Sequence, residues 1–329
     1  MSNSTSPILI ITGMHRSGTS LTASLLQSGG VDLGKDFNPS MESKVKEYFE
    51  DLAVVRFHEN VLKAHHLPPE GWVHLEKITQ IPEPYLTQAK EIIASKRDTT
   101  KGMTGWKDPR GTLFLDFWQS QLPEAQFIFL YRAPWEVVDS LYRRGDPIFT
   151  NSPQLALDFW LNYNAALINF YDRYPDKSLL LNIDRIINDP TVLSRAIAQK
   201  FRFNLSVQSE IYNSSLFQTD ISHPLRCYLF QQFFPEASQL YQELQTRCEF
   251  CHSQHELSDL PMDRNWLLQD WLQMRVRQKQ QQKIQQELSE KNARITELEE
   301  LIKAMESSKF WKMRQFWMQL KQRFPFLNR

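Results

Sequence analysis

The chain has few cysteines, no net charge and no long apolar run. Three cysteines in 329 residues cannot form a disulfide framework, so we expect a reducing, cytoplasmic setting. Lysine and arginine together number 38, as do aspartate and glutamate, so no overall positive field attracts nucleic acid. No stretch approaches the ~18 apolar residues of a membrane-spanning helix. The composition therefore excludes a disulfide-rich secreted domain, and we expect neither nucleic acid binding nor a membrane span.

The first residues also lack the features of a secretory signal. Residues 1–7 are polar, and the apolar run after them has only four residues before Thr12. We therefore expect a cytoplasmic protein whose contact with a membrane is at most peripheral.

A glycine loop follows that apolar run, and it resembles a Walker A loop except for one missing residue. Gly13 and Gly18 have the spacing of a Walker A loop, in which backbone N–H groups and a helix N-terminus hold phosphate. The lysine that follows the second glycine in such loops is absent, because Thr19 occupies that position. The nearest cation is Arg16, inside the loop. The pattern predicts an anion site that does not serve the γ-phosphate of ATP.

Apolar runs alternate with helical patterns along the first two thirds of the chain. We predict strands over 7–12, 104–110, 126–131 and 178–183, the second of them ending in a charged turn. Helices are predicted over 18–28, 44–64, 83–97, 113–119, 134–144, 153–173 and 190–202. This alternation predicts an α/β fold with a doubly wound parallel sheet between two helical layers.

Charged residues follow each of the four predicted strands. They are Arg16, Lys107 with Asp108, Arg132, and Asp184. Because ligands of parallel sheets bind at the carboxyl ends of the strands, these positions are candidates for a functional site. We interpret Asp184 differently, as the N-cap of the helix that follows it.

The composition changes from about residue 216. We predict an α/β domain over 1–220, a helical extension over 221–264, a helix with a short coiled coil over 265–306, and a tail over 307–329. Leu288, Ile295 and Ile302 repeat by seven, as core positions of a coiled coil do, although Lys291 interrupts the second core position. We expect this segment to form a homodimer.

The tail over 307–329 is basic and aromatic. It has no acid, and its cations are Lys309, Lys312, Arg314, Lys321, Arg323 and Arg329. Its large apolar residues recur with helical spacing, which is typical of a helix that lies on a membrane surface. The alternative is a helix that docks onto its own domain or a partner subunit.

Three segments resemble sulfotransferases that use 3′-phosphoadenosine 5′-phosphosulfate (PAPS). Residues 16–21, Arg-Ser-Gly-Thr-Ser-Leu, resemble their 5′-phosphosulfate loop, which has threonine where kinases have lysine. Arg132 and Ser140 resemble the pair that grips the 3′-phosphate. Residues 106–110, Trp-Lys-Asp-Pro-Arg, are similar to a turn in tyrosylprotein and bacterial members. The resemblance covers roughly residues 7–220.

The resemblance implies a P-loop-like fold and transfer of a sulfonate from PAPS to a hydroxyl group, without a metal. Leu21 stands where cytosolic small-molecule members have tryptophan, and it resembles the carbohydrate and tyrosyl branch instead. The resemblance as a whole favours a bacterial or carbohydrate-type member with a glycan or glycolipid acceptor. Arg16 and Lys107 would stabilise charge on the leaving oxygen, and Arg132 with Ser140 would bind the 3′-phosphate. The donor-binding residues of the loop would be Gly13, Arg16, Ser17, Gly18, Thr19 and Ser20.

The acceptor hydroxyl needs a general base. Related carbohydrate and tyrosyl enzymes have a glutamate between the first helix and the second strand, where this chain has Glu47 and Glu50. The resemblance favours Glu50, and His58 is a third candidate. Glu50 is also open to interpretation as a surface acid of a helix, paired with Lys46 one turn earlier.

Two other functions stay open on the sequence. A P-loop kinase would use ATP, but the missing Walker lysine argues against it. A non-catalytic scaffold would keep a vestigial nucleotide site and act through the coiled coil. A kinase would bind ATP with Mg²⁺ rather than adenosine bisphosphate. A scaffold would keep its biological activity when Arg132 or Lys107 is replaced by alanine.

Overall fold

Runs of buried apolar residues form the strands of a parallel sheet in this computed structural model, which describes residues 8–34, 50–74, 78, 80–97, 102–206, 224–250 and 264–323. The strands are β1 (Ile8–Gly13), β2 (Thr104–Lys107), β3 (Gln126–Tyr131) and β4 (Ser178–Asn182). Their order in the sheet is β2-β1-β3-β4, and all neighbouring pairs are parallel. β1, which carries the glycine loop, therefore lies in the interior of the sheet.

Helices connect these strands and follow the last of them. Before β3 they are α1 (Thr19–Ser28), α2 (Leu52–Ala64), α3 (Glu83–Arg97) and, after a 3₁₀ turn over Pro109–Phe114, α4 (Leu115–Gln121). Between β3 and β4 they are α5 (Pro134–Arg144), α6 (Pro147–Asn151) and α7 (Gln154–Arg173). After β4 they are α8 (Ile183–Asn188), α9 (Thr191–Phe201), α10 (Pro224–Phe233) and α11 (Pro235–Arg247).

The two faces of the sheet carry separate apolar cores, because successive residues of a strand point to opposite sides. Ile8 and Ile10 belong to one core, which includes residues of α2, α3, α4, α5, α7 and α11. Leu9 and Ile11 belong to the other, which includes residues of α1, α8 and α9. Each fully buried side chain of this size contributes about 1.5–3 kcal/mol. The sheet thus lies between two helical layers, which confirms the predicted α/β fold.

The described part of the helix predicted over 44–64 begins at Leu52, and residues 44–49 lie outside the described residues. Asp51 caps α2, because its Oδ1 accepts the backbone N–H groups of Ala53 at 2.9 Å and Val54 at 3.4 Å. Glu50 precedes this cap and is not helical, so the interpretation of Glu50 as a surface helix acid is wrong. Its suggested helix partner, Lys46, lies outside the described residues.

The N-cap of the helix after β4 lies two residues earlier than expected. Asn182 Oδ1 accepts the backbone N–H of Asp184 at 2.7 Å, so Asn182 caps α8. The interpretation of Asp184 as this cap is wrong, and Ile183 belongs to the helix rather than to the strand. The Asp184 carboxyl group is therefore left to interact with charges at the neighbouring strand end.

The register of the sheet aligns the carboxyl ends of its strands. Ile11 pairs with Lys107, the last residue of β2, and Gly13 pairs with Leu130 near the end of β3. Tyr131 at the end of β3 pairs with Asn182 at the end of β4. The charged residues that follow the four strands consequently lie along one edge of the sheet.

Gly13→Ala is expected to lower the free energy of unfolding by about 2–4 kcal/mol. A Cβ at Gly13 would lie 2.2 Å from the carbonyl oxygen of Leu130, and a backbone atom of an adjacent strand cannot move aside cheaply. Urea denaturation measures the loss. Gly145→Ala is the control, because its Cβ would meet no described atom within 4 Å. Only the left-handed backbone conformation would destabilise this variant, by about 1 kcal/mol. Equal losses in both variants would contradict the steric argument.

The C-terminal unit, Pro261–Arg329, contains two further helices. They are α12 (Arg264–Ser307) and α13 (Lys309–Arg323), and Ser308 separates them, its Oγ accepting the N–H of Trp311 at 3.2 Å. The C-terminal helical extension expected from the sequence is therefore present. Along the described parts of the chain, no helix is both long and apolar enough to cross a membrane. In the first unit, Cys248 after α11 is disulfide-bonded.

Candidate active site

The glycine loop turns tightly between β1 and α1. Arg16 has φ +69 and Gly18 has φ +86, so both adopt left-handed backbone conformations, and a Cβ at Gly18 would lie 2.2 Å from the Ile183 side chain. Gly18 is the N-cap of α1, and no described side chain caps this helix. The Ser17 hydroxyl is fully buried and has no hydrogen-bond partner among the described residues. The loop therefore offers backbone and hydroxyl donors to an anion.

The structure joins two of the predicted anion-binding segments. Arg16 Nε donates to Ser140 Oγ on α5 at 2.9 Å. Ser140 is buried, whereas the Arg16 side chain is exposed. Thr19 opens α1 as a buried residue and Ser20 follows it half-buried. The hydrogen bond of Arg16 thus joins the loop at the end of β1 to the second turn of α5.

Arg132 follows β3 and is 5% exposed. Its Nε donates to Glu136 Oε2 at 2.7 Å, four residues later in α5, and its backbone carbonyl accepts the Trp160 Nε1 proton at 3.1 Å. The backbone and one nitrogen of the guanidinium fork are therefore held in place. Sequence reasoning missed Glu136, although its spacing of four from an arginine is the usual signal of a helical ion pair.

The Asp184 carboxyl group interacts electrostatically with this pair. Burial, followed by the Glu136 carboxylate, raises the pKa of Asp184 from 3.8 to about 6, and Arg132 and Arg185 oppose the rise. A carboxyl group that changes charge close to neutral pH therefore borders the Arg132 guanidinium.

Asp184→Asn is expected to stabilise the protein by about 1–3 kcal/mol near pH 7.5 and to change nothing near pH 4. The folded-state pKa of Asp184 lies above its ordinary value, so the folded protein favours the neutral carboxyl. The stability that depends on this neutral form is fully present below about pH 4 and is lost as the pH rises through about 6, where the buried carboxyl becomes charged. Urea denaturation at both pH values measures this. Asp176→Asn, at an exposed position, is the control. An equal gain in stability at both pH values would show that the gain does not come from ionisation of the Asp184 carboxyl.

Lys107 ends β2 and is almost fully buried, at 1% exposure. Its Nζ donates to Glu50 Oε1 at 2.8 Å, so the buried ammonium has a counter-ion. Arg110 approaches the other Glu50 oxygen with Nη2 at 3.4 Å and donates to Glu59 Oε1 from Nη1 at 3.0 Å. Glu50 keeps 23% of its side chain exposed, so a hydroxyl group can approach it from solvent.

The other two base candidates are placed differently. His58 is fully buried and both of its ring nitrogens have hydrogen-bond partners, so it cannot contact an acceptor. Glu47 lies outside the described residues. Sequence reasoning gave Arg110 no role, because an arginine in a turn carries no local signal of the glutamate it will meet.

A model of the Sulfotransferase family matches residues 7–206, more than half of the chain. The chain belongs to the sulfotransferase family. The match includes the glycine loop, Lys107, Arg132 and Ser140. This sulfotransferase therefore transfers a sulfonate group from a sulfonate donor. Among the residues whose positions are described, no three His, Cys, Asp or Glu side chains form a group that could hold a metal ion.

The sulfotransferase is also similar to solved structures. One is the sulfotransferase domain of the olefin synthase from Synechococcus PCC 7002, at 18% identity, a TM-score of 0.43, and coverage of 73% of this chain and 96% of that one. Another is sulfotransferase STF1 from Mycobacterium tuberculosis H37Rv, at 13% identity, a TM-score of 0.41, and coverage of 74% and 76%. No curated protein matches the sequence. Similarity this low carries no argument about substrates.

Proposed function

We propose that the sulfonate donor is PAPS, held at the carboxyl ends of β1 and β3. PAPS carries a 5′-phosphosulfate and a 3′-phosphate, so it needs two anion sites close together. The pairing of Gly13 with Leu130 carries this proposal, because it places the glycine loop next to Arg132. The hydrogen bond between Arg16 and Ser140 links the same two sites. The unpartnered Ser17 hydroxyl fits the first site.

Each residue of the site then has a role. Arg132 presents a planar fork and Ser140 a neutral donor to the 3′-phosphate. The loop N–H groups, with Arg16 and the Ser17, Thr19 and Ser20 hydroxyls, hold the 5′-phosphosulfate. Gly18 allows the tight turn of this loop, and Gly13 allows its close approach to β3. Arg132 and Ser140 are buried and hydrogen-bonded, so these two donors are preorganised, as electrostatic catalysis requires.

The transfer itself is proposed to use Glu50 and Lys107. Glu50 takes the proton of the acceptor hydroxyl while the oxygen of that hydroxyl forms a bond to the donor sulfur. The bond between that sulfur and the bridging phosphate oxygen breaks, which leaves adenosine 3′,5′-bisphosphate. Lys107, with Arg16, stabilises the negative charge that builds on the leaving oxygen. The 2.8 Å contact between Lys107 and Glu50 supports this pairing of roles, because it places acid and cation together at one strand end.

Calorimetry with the full chain tests the donor. Adenosine 3′,5′-bisphosphate is expected to bind without Mg²⁺, and ATP with Mg²⁺ is expected to bind far more weakly. The opposite preference would favour a P-loop kinase. Binding of neither nucleotide would favour a non-catalytic scaffold.

The acceptor is proposed to be a glycan or glycolipid, because Leu21 resembles the carbohydrate and tyrosyl branch and residues 106–110 are similar to a turn in tyrosylprotein and bacterial members. Sulfonate transfer from labelled PAPS to panels of glycans, glycolipids and peptides tests this. Transfer confined to peptides would overturn it.

The C-terminal helices are proposed to dimerise the enzyme and to hold it at a membrane surface in the cytoplasm. Leu288, Ile295 and Ile302 are all exposed along α12, which supports pairing with a second copy. On α13 the exposed residues Phe310 and Trp317 stand among cations without an acid. Light scattering of the full chain should give a dimer, and flotation should show binding to anionic vesicles. A monomer, or no flotation, would refute the respective half.

A further inference from the structure

A buried histidine behind the proposed base has a defined tautomer. Trp118 Nε1 lies 2.9 Å from His58 Nε2, and an indole N–H can only donate. His58 Nε2 must therefore accept, which leaves the proton on Nδ1. That nitrogen lies 2.8 Å from Asp108 Oδ2 and donates to it. Burial lowers the pKa of His58, in keeping with a neutral ring.

Asp108 connects this histidine to an arginine. Arg110 Nε donates to the two Asp108 oxygens at 2.9 and 3.1 Å, and the Arg110 backbone N–H donates to Oδ1 at 3.0 Å. Burial raises the pKa of Asp108, but Arg110 and His58 outweigh it and hold the pKa far below its ordinary range. Asp108 is therefore ionised, and its contacts with Arg110 Nε fix the plane of the guanidinium.

Arg110 in turn holds two acids with its outer nitrogens. Nη1 donates to Glu59 Oε1 at 3.0 Å, and Nη2 approaches Glu50 Oε2 at 3.4 Å. The other oxygen of Glu50 is bound by Lys107. Glu50 itself belongs to neither a helix nor a strand, and these two cations hold its carboxylate.

We propose that His58 and Asp108 are positioning residues that hold the Glu50 carboxylate in place through Arg110. The inference rests on the proposed role of Glu50 as the base. The His58 Nδ1 proton fixes the Asp108 carboxylate, Asp108 fixes the guanidinium fork, and the fork fixes one oxygen of Glu50. Without the proton donor, Asp108 can rotate and Arg110 follows it. A displacement of a reacting group by about 1 Å can cost 100-fold in rate.

Two variants, each of which keeps a polar group at one of the two ring nitrogen positions of His58, separate a positioning role from a loss of stability. His58→Asn keeps an amide donor at the place of Nδ1 but removes the acceptor for Trp118. His58→Gln keeps a group at the place of Nε2 but removes the donor to Asp108. Each leaves one buried partner unsatisfied, so both are expected to lose similar stability, about 1–3 kcal/mol. A purely structural role would therefore reduce the activity of both equally.

The measurement is the rate of sulfonate transfer from labelled PAPS to the best acceptor of the panels. His58→Gln is expected to lower kcat by about 10- to 100-fold without changing the KM for PAPS. His58→Asn is expected to stay within about threefold of the original kcat. In crystal structures of the variants, the Arg110–Glu50 contact should be lost only in His58→Gln.

The outcomes separate this inference from the proposed function. If Glu50→Gln is inactive but the two His58 variants have the same kcat, the positioning role is refuted and the base survives. If Glu50→Gln keeps its rate, the base itself is refuted. An intact Arg110–Glu50 contact in His58→Gln would also overturn the positioning role, whatever the kinetics.

Discussion

Arg132→Ala is expected to weaken the binding of adenosine 3′,5′-bisphosphate by about 100- to 1000-fold. The substitution removes a buried cation whose fork is already oriented by the 2.7 Å contact with Glu136. It also leaves the Glu136 and Asp184 carboxyl groups without that cation, and their negative charge then repels a phosphate. Calorimetry with the full chain measures the dissociation constant, and thermal unfolding shows whether the fold persists.

Matched variants sharpen this test. Arg132→Lys keeps the charge but not the planar fork, so an intermediate loss of about 10-fold is expected. Arg143→Ala changes an arginine of α5, the helix that follows Arg132; Arg143 is 53% exposed and paired with Asp139, and the affinity of this variant should equal that of the original protein. If Arg132→Ala bound the nucleotide within about threefold of the original affinity, Arg132 would not be a phosphate ligand.

Glu50→Gln is expected to lower kcat by about 100- to 10,000-fold and to leave nucleotide affinity unchanged. Glutamine keeps the size and hydrogen-bonding oxygen of Glu50 but cannot take a proton from the acceptor. Nucleotide affinity should persist because the proposed phosphate ligands follow β1 and β3, whereas Glu50 is held by residues at the end of β2. Labelled PAPS with the acceptor from the panels gives kcat, and calorimetry gives the affinity.

The control for Glu50 is Glu59, a second glutamate that is hydrogen-bonded to Arg110. Glu59 accepts a hydrogen bond from Arg110 at 3.0 Å and is 32% exposed; among the described residues its ion pairs are with Arg110 and Lys63, whereas Lys107 pairs with Glu50. Glu59→Gln is therefore expected to keep kcat within about threefold. Equal losses in the two variants would mean that the charge around Arg110, rather than a proton acceptor at Glu50, limits the reaction.

Local sequence patterns predicted much of the α/β unit. β3 occupies 126–131 and α5 occupies 134–144, as an apolar run followed by proline indicated. Both patterns depend on neighbouring residues only: a strand buried on two faces must be continuously apolar, and proline suits a first helical turn. The glycine loop was predictable for the same reason, because its donors are backbone groups of adjacent residues.

The position of Glu50 could not be predicted in this way. An apolar helical pattern ran through it, but α2 begins only after Glu50, at the N-cap Asp51. Its partners Lys107 and Arg110 are 57 and 60 residues away, and nothing in the spacing of the sequence specifies such a pair. The network behind it, from Trp118 to Asp108, likewise arises from elements that are distant in the chain.

The sequence by itself determined that this protein has a phosphate-type loop without the Walker lysine, and an arginine and a serine eight residues apart after another strand. These features are written within single segments, where backbone geometry fixes the spacing. Only the tertiary structure decided that β1 lies between β2 and β3, which brings the loop, Arg132 and Lys107 to one edge. Strand order depends on how whole faces are buried, and burial is a property of the assembled layers rather than of any segment.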